Sequence, residues 1–475
     1  MGKDSTRRNP WLWIPTLYFA EGLPYIAVNN LSVIMYKNLG MSNTDIALYT
    51  SWLYLPWVIK PFWSPFVDII KTKRWWIVLM QYVIGAGLAG IAFTLPLNHY
   101  IQWTMAIFWI IGFASATHDI SADGFYMLAL DSSDQSLFVG IRSTFYRVAT
   151  IVGQGGLVAL SGLLFNKYGA AAAKDPAFST SAASFPVYTK VWATTFLVLA
   201  IFFIAIAIYH NFILPKPLAD RSVLDTSTQS ADSQVAGAPS RPSAGAVAKE
   251  FFSTFGSFFS KNGLGIALTF MLLYRLPEAQ LIKMINPFLI DPVAKGGLGL
   301  SNEQIGLVYG TIGIIGLTLG GIIGGIVASR GGLKKWLRPM AWSMSLPCLA
   351  FCYLSMAQPH NLAVISSCVF LEQFGYGFGF TAYMLFLMYF CEGNHKTSHY
   401  AICTGFMALS MMIPGFWTGA LQEKIGYVNF FWWVMICCIA TIVVAMLVKV
   451  DPGYGKAKPK VAPVTENKEK NKANE

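Results

Sequence analysis

The chain has 475 residues, of which 55% are hydrophobic and only 12% charged, at a net charge of +11. A soluble globular domain carries about a quarter charged residues, so this composition excludes a soluble enzyme or binding module as the bulk of the chain. The positive balance points to nucleic acid only until the charges are placed along the sequence.

Apolar runs of about 20 residues are long enough to cross a bilayer core. Twelve such runs are predicted, at 11–35, 45–67, 75–96, 101–130, 137–165, 188–213, 263–290, 303–328, 337–357, 361–391, 398–420 and 427–449. No short apolar segment with a small-residue cleavage site comes first, so span 1 itself is expected to direct insertion. With both termini inside, 23 of the 34 Lys and Arg residues fall in the loops and tails of the inner side. That asymmetry is the positive-inside rule. The basic charge therefore records topology, and no nucleic-acid partner is expected.

Span 1 carries Glu21 near its middle, beside Gly22 and Pro24, with Asn29 and Asn30 further on. Span 4 carries His118, Asp119, Asp123 and Tyr126. Asp119 and Asp123 are four residues apart and share a helix face. Folding spans 4 and 5 as an antiparallel hairpin sets Asp119 level with Arg147, and Asp123 level with Arg142 or Ser143. Such pairs neutralise the cost of burying charge. They act either as a structural lock between the two spans or as an acid that trades its arginine for a proton. His118 is either a proton relay or a hydrogen-bonded helix histidine.

The stretch 214–262 is the one long loop, and its middle, 219–246, has the composition of a disordered segment. Near 248–260, Phe251, Phe252, Phe255, Phe258 and Phe259 recur on one helical face, which predicts an amphipathic helix on the inner leaflet. Span 7 then brings Arg275, Glu278 after Pro277, and Lys283; span 10 brings Glu372, Gln373 and Tyr376. Charges inside membrane spans are costly and mark pathways or partners. Trp52, Trp57, Trp63, Tyr126, Tyr146, Tyr274 and Tyr376 are placed either to stack on a sugar ring or to pack and form interfacial belts. The polar tail 451–475 is expected to be disordered and cytoplasmic.

The two halves echo each other. Gly-Met-Ser-Asn-x-x-Ile at 40–46 returns as Gly-Leu-Ser-Asn-x-x-Ile at 299–305, each with capping-box-like spacing. Ser64-x-x-x-Asp68 followed by Lys73 and Arg74 returns as Gly325-x-x-x-Ser329-Arg330 followed by Lys334 and Lys335. The expected domains are a six-helix bundle over 1–213, the linker 214–262, a second bundle over 263–450 and the tail. The glycines of span 8, Gly306 to Gly325, let helices approach closely.

Two parallel six-span repeats joined by an inner loop resemble the major facilitator superfamily, and Asp68, Lys73, Arg74, Arg330, Lys334 and Lys335 fall in the loops that resemble its gating signature. The fold implied is an all-α polytopic membrane protein with twelve transmembrane helices in two pseudo-symmetric bundles. The resemblance also implies a cavity lined by spans 1, 4, 7 and 10. Within the superfamily, Phe-Ala-Glu-Gly-Leu-Pro (19–24), Lys60 to Asp68, His-Asp-Ile-Ser-Ala-Asp-Gly-Phe (118–125) and Tyr146-Arg147 resemble AmpG-type muropeptide permeases and their acetyl-coenzyme A transporter relatives. His118 stands where that branch commonly has Gln, and Tyr126 to Ala129 replaces a basic-Thr-Asp run.

That resemblance implies proton-driven import of amino-sugar cell-wall fragments across a bacterial inner membrane. Free amino sugars, glycan oligosaccharides, an acyl-CoA-like anion and a non-transporting sensor remain open alternatives. The expected partners are a small-molecule substrate, protons and the lipid bilayer, with the chain monomeric. No phosphate-loop motif and no nucleophile–base pair occurs in the sequence, so neither an ATP-driven pump nor an enzyme is expected. The seven cysteines, all in or beside spans 9–12, show no metal-ligand spacing. No cofactor, metal or disulfide is expected.

Overall fold

The computed structural model describes residues 8–130, 132–169, 184–217, 220, 244–392 and 396–454. Of the segments 219–246 and 451–475, read above as disordered, 221–243 and 455–475 lie outside the described residues, whereas 244–246 begin a helix and 452–454 form a turn. Among the described residues, eight helices are long and apolar enough to cross a membrane. The last of them, Lys396–Leu447, turns at Gly426 (φ 75°) and so supplies spans 11 and 12 together. Spans 1, 2 and 7 complete the set of twelve. Spans 2 and 7 are each broken into two helices too short to cross alone, and span 1 carries Glu21, Asn29 and Asn30 among its apolar residues.

The interruptions have local causes. Span 1 runs Ile14–Ile26, loosens into a π-helical turn over Ala27–Leu31 just after Pro24, and resumes at Ser32–Asn38. A proline inside a helix removes one amide donor and crowds the preceding turn. Span 2 runs Asn43–Trp52, breaks at Leu53 and Tyr54, and resumes at Leu55–Ile70 with Pro56 in its first turn. Span 7 runs Leu264–Leu273, breaks at Tyr274 and Arg275, and resumes at Leu276–Ile290 with Pro277 in its first turn. Proline is well tolerated there because the first-turn amides have no helical partner.

The remaining spans are Lys73–Thr94, Tyr100–Ala129, Ser132–Tyr168 (with a π-helical stretch at Ile151–Leu157), Phe185–Ile213, Asn302–Gly331 (with another at Val308–Gly313), Leu333–Ala357 and Leu362–Phe390. Helix starts follow the capping rules. The side-chain oxygen of Ser42 accepts from the Asp45 amide (3.0 Å), and Ser301 with Gln304 forms a complete capping box.

Spans 1–6 form one six-helix bundle and spans 7–12 the other. In the first, span 1 packs on spans 4 and 5, and span 3 on spans 4 and 6; in the second, span 10 packs on spans 8 and 9. The bundles meet along two seams, span 2 against span 11 and span 5 against span 8, and span 1 also reaches span 7. In the 5–8 seam the two π-helical stretches lie against each other. A Cβ on Gly310 would stand 2.1 Å from the Gln154 carbonyl oxygen, so only glycine allows this backbone approach.

The amphipathic helix predicted near 248–260 spans Ala244–Phe259. Its aromatic face turns partly into protein, where the expectation was lipid. Phe258 is fully buried against Phe390, His399 and Phe406, and Phe255 stacks near Phe62 of span 2, whereas Phe252 and Phe259 stay exposed. The Phe251 side chain lies outside the described residues.

Candidate functional site

A cavity of about 1080 Å³ separates the two bundles. Its walls run from Asn30, Gln154, Tyr309 and Gln373 at mid-span to Met127, Arg142, Tyr400 and Ala401 at the helix ends that carry the basic loops. Met127 is more than half exposed at that end. At the opposite end the bundles are pressed together.

The wall supplied by spans 1–6 holds the charged cluster. Asp119 accepts from the indole N–H of Trp57 (3.2 Å), with Lys60 Nζ at 3.7 Å. Asp123 accepts from Arg142 Nη2 at 2.6 Å and from the Tyr18 hydroxyl at 3.4 Å. The Arg142 guanidinium lies 4.4 Å over the Tyr18 ring and 5.2 Å over the Tyr126 ring, two cation–π contacts that hold it in place. The hairpin register therefore pairs Asp123 with Arg142, but Asp119 pairs with span 2, not with Arg147. The helix period explains this. Asp119 and Asp123 lie four residues apart on one face, whereas Arg142 and Arg147 are five apart and point about 140° away from each other. Arg147 instead faces the Thr318 carbonyl of span 8 (3.4 Å).

The wall from spans 7–12 is aromatic, with one locked ion pair behind it. Arg275 sits at the break in span 7, where the backbone leaves helical geometry (φ −101°). Its guanidinium donates twice to Glu278 (2.8 and 3.2 Å) and once to the Tyr376 hydroxyl (2.8 Å), and it lies 4.9 Å over the Phe380 ring. Glu278 is thereby turned into the wall while Arg275 and Tyr376 face the cavity.

The residues singled out in the sequence thus divide. Asn30, Asp119, Asp123, Tyr126, Arg142, Arg275, Gln373 and Tyr376 line the cavity; Glu21, Asn29, His118, Arg147, Glu278, Lys283 and Glu372 are not on its surface. Glu21 is buried behind the Asp119 wall, and its Oε2 finds no hydrogen-bond partner among the described residues. Asn29 donates to the Tyr25 carbonyl, and Glu372 accepts from Gln373 at 2.9 Å. Lys283 donates to Thr50 of span 2 (2.9 Å) and lies 4.9 Å over the Tyr54 ring.

His118 points into its own bundle. Gln81 bridges it to His210, with contacts of 3.0 and 2.8 Å, and His210 reaches Thr16 at 2.9 Å. This network ties spans 1, 3, 4 and 6 together. Of the aromatic residues, Trp57, Tyr126, Tyr146 and Tyr376 line the cavity. Trp52 rests against Phe416, Trp63 against Phe113, and Tyr274 is sealed in the second bundle.

Of the loop residues, Lys73 and Arg74 begin span 3, and their backbone amides donate to Asp220 at 2.7 and 3.0 Å. The Arg74 side chain caps the end of span 6 through the carbonyls of Asn211 and Leu214. Arg330, Lys334 and Lys335 are exposed where span 8 meets span 9. Asp68 ends span 2, and its side chain lies outside the described residues. Among the described side chains of these loop residues, none lines the cavity.

The sequence reading missed two sets of residues. Spans 2, 5, 8 and 11 line the cavity alongside the expected 1, 4, 7 and 10, and add Tyr54, Lys60, Tyr309 and Tyr400 to Trp57 and Tyr146, which the sequence had offered as stacking residues. The polar seal at the closed end was also missed. There Asp291 accepts from Lys37 (2.7 Å) and from the Tyr427 hydroxyl (2.6 Å). Asn43 accepts from Lys37 (2.6 Å) and donates to Gln422 (2.6 Å) and Tyr427 (2.9 Å). Asn302 donates to Asn38 (2.6 Å) and Ser161 (3.0 Å). The one available signal was the repeated Gly-x-Ser-Asn, whose asparagines are two of these ties.

The sequence profile of the Major Facilitator Superfamily matches residues 16–402. The chain belongs to the Major Facilitator Superfamily. Relatives within it include the putative transporter AmpG 4 of Rickettsia conorii, 23% identical over 443 residues, covering 90% of this chain and 94% of that protein. The anhydromuropeptide permease of Escherichia coli K12 is likewise 23% identical over 420 residues, covering 87% and 74%. Among solved structures of the superfamily fold, a bacterial homologue of the human lysosomal transporter Spinster, inward-facing and unoccupied, superposes with a TM-score of 0.64 at 13% identity, covering 94% of this chain and 96% of that one. The inward-open xylose transporter XylE from E. coli gives 0.61 at 13% identity, covering 92% and 94%. As a Major Facilitator protein the chain is a polytopic membrane transporter.

Proposed function

We propose that this transporter imports amino-sugar cell-wall fragments of the anhydromuropeptide class, driven by protons, across a bacterial inner membrane. The observation that carries this reading is the central cavity. It is closed at one end, reaches the helix ends at the other, and sets a charged wall opposite an aromatic one. A sugar ring offers apolar faces for Trp57, Tyr146 and Tyr376, and a peptide stem offers charges for Asp119, Asp123, Lys60 and Arg142. The similarity to an anhydromuropeptide permease supports the same class.

Rocking of the 1–213 bundle against the 263–450 bundle exchanges the open end, the usual motion of transporters built from parallel repeats. With the basic loops and both termini in the cytoplasm, the open end in this structure is the inner one. Asp119 serves as the proton-binding group of the charged wall, because its cation, Lys60, stands 3.7 Å away whereas Arg142 is 2.6 Å from Asp123. One proton moved inward at 100 mV supplies about 2.3 kcal/mol, roughly 50-fold accumulation.

The test is uptake of anhydromuropeptide into proteoliposomes under an imposed pH gradient. Wild type is expected to concentrate it, with Asp119→Asn losing gradient-driven accumulation while keeping exchange of one solute molecule for another. Full gradient-driven uptake by Asp119→Asn ends the proton assignment, and no uptake by wild type ends the substrate assignment.

A further inference from the structure

A second cavity, of about 920 Å³, lies at the closed end, directly over the seal. Its rim and floor carry two cations, Lys37 and Lys295, and two carboxylates, Asp291 and Glu423. Lys37 and Asp291 are about one-tenth exposed, so both are reachable from it, yet they are bonded to each other across spans 1 and 7. This ion pair, together with the bonds from Asn43 to Gln422 and Tyr427 and from Thr44 to Glu423, holds the bundles together where they must separate for the cavity to open outward.

We propose that this vestibule is a docking site in which the cargo's own charges displace the Lys37–Asp291 pair and so release the seal. The ligand class follows from the wall: a polar solute bearing a free carboxylate, for Lys37 and Lys295, and an ammonium or other donor group, for Asp291 and Glu423. The proposal rests on the import reading above and adds where recognition begins.

The chemistry favours displacement over simple separation. Asp291 keeps its bond from Tyr427 and Lys37 its bond to Asn43 within their own bundles, but pulling the bundles apart leaves each charge without its counter-ion. A buried charge left unpaired is costly. A solute that replaces each lost partner removes that cost, and a neutral solute cannot. Lys295 lies on the 7–8 loop, in the short turn Val293–Lys295, outside the hydrogen-bonded seal. It contributes to attraction without holding the gate.

The experiment compares two probes in proteoliposomes oriented with the closed end outward: an anhydromuropeptide with its tripeptide stem, and the same anhydro-disaccharide without the stem, its lactyl carboxyl blocked as the primary amide so that it is neutral. Lys295→Ala is expected to raise KM for the stem-bearing probe about tenfold with kcat unchanged, and to leave the stem-free probe's KM unaltered. Lys37→Asp with Asp291→Lys restores a pair of opposite sign, and is expected to recover more uptake than either single variant. Equal effects of Lys295→Ala on both probes, or none on either, overturn the vestibule while leaving the import reading in place. Uptake of neither probe by wild type overturns the import reading and the vestibule with it.

Discussion

Asn43 and Asn302 occupy the same position in the two sequence repeats, and each reaches across to the other bundle. Asn43 begins span 2 and bonds to Gln422 and Tyr427, whereas Asn302 begins span 8 and bonds to Asn38 and Ser161. The repeat that marks the chain as internally duplicated therefore also builds both halves of its seal. Both side chains are nearly fully buried, at 5% and 6% exposure.

Removing either asparagine should loosen the closed end. A net hydrogen bond is worth about 1 kcal/mol, and more where a buried partner is stranded, so Asn43→Ala or Asn302→Ala is expected to raise the open-outward population at least fivefold. Alkylation of a cysteine placed at Thr50, with the native cysteines replaced, reads this from the closed side. An unchanged alkylation rate in both variants would contradict the assigned ties.

The Lys37–Asp291 pair should behave as a coupled unit. Truncating one partner of a buried pair typically costs 3–5 kcal/mol, so Asp291→Ala alone is expected to impair sealing more than Lys37→Ala and Asp291→Ala together. A double-mutant cycle on the same alkylation rate gives the coupling. Additive effects would mean that the pair carries no shared energy.

Gly310→Val should block closure of the 5–8 seam, because any side chain there collides with the Gln154 backbone. Uptake is expected to fall more than tenfold with expression retained. Gly325→Ala is the matched control, since nothing lies within 4 Å of its Cβ position. It is expected to leave uptake within twofold.

The two arginines of span 5 should differ sharply. Arg142→Ala strands Asp123 and is expected to reduce uptake at least tenfold, with Asp123→Asn in the same chain recovering part of it. Arg147→Ala touches neither acid and is expected to leave the pH dependence of uptake unaltered. An equal loss in the two single variants would favour the register in which Arg147 meets Asp119.

By itself the sequence determined the twelve spans and the repeat, because burial in lipid imposes a length and a composition that are read residue by residue, and its loop motifs resembled those of the superfamily to which the chain belongs. It also set Asp123 level with Arg142 or Ser143, neighbours across a hairpin, and the structure pairs it with Arg142. Only the tertiary structure decided which charges face the cavity. That choice depends on helix phase and on partners far away in sequence, as when Lys60 rather than Arg147 meets Asp119, or when Gln81 and His210 turn His118 inward. The seal was out of reach for the same reason: Lys37 and Asp291 are 254 positions apart, and nothing along the chain brings them together until two bundles close on each other.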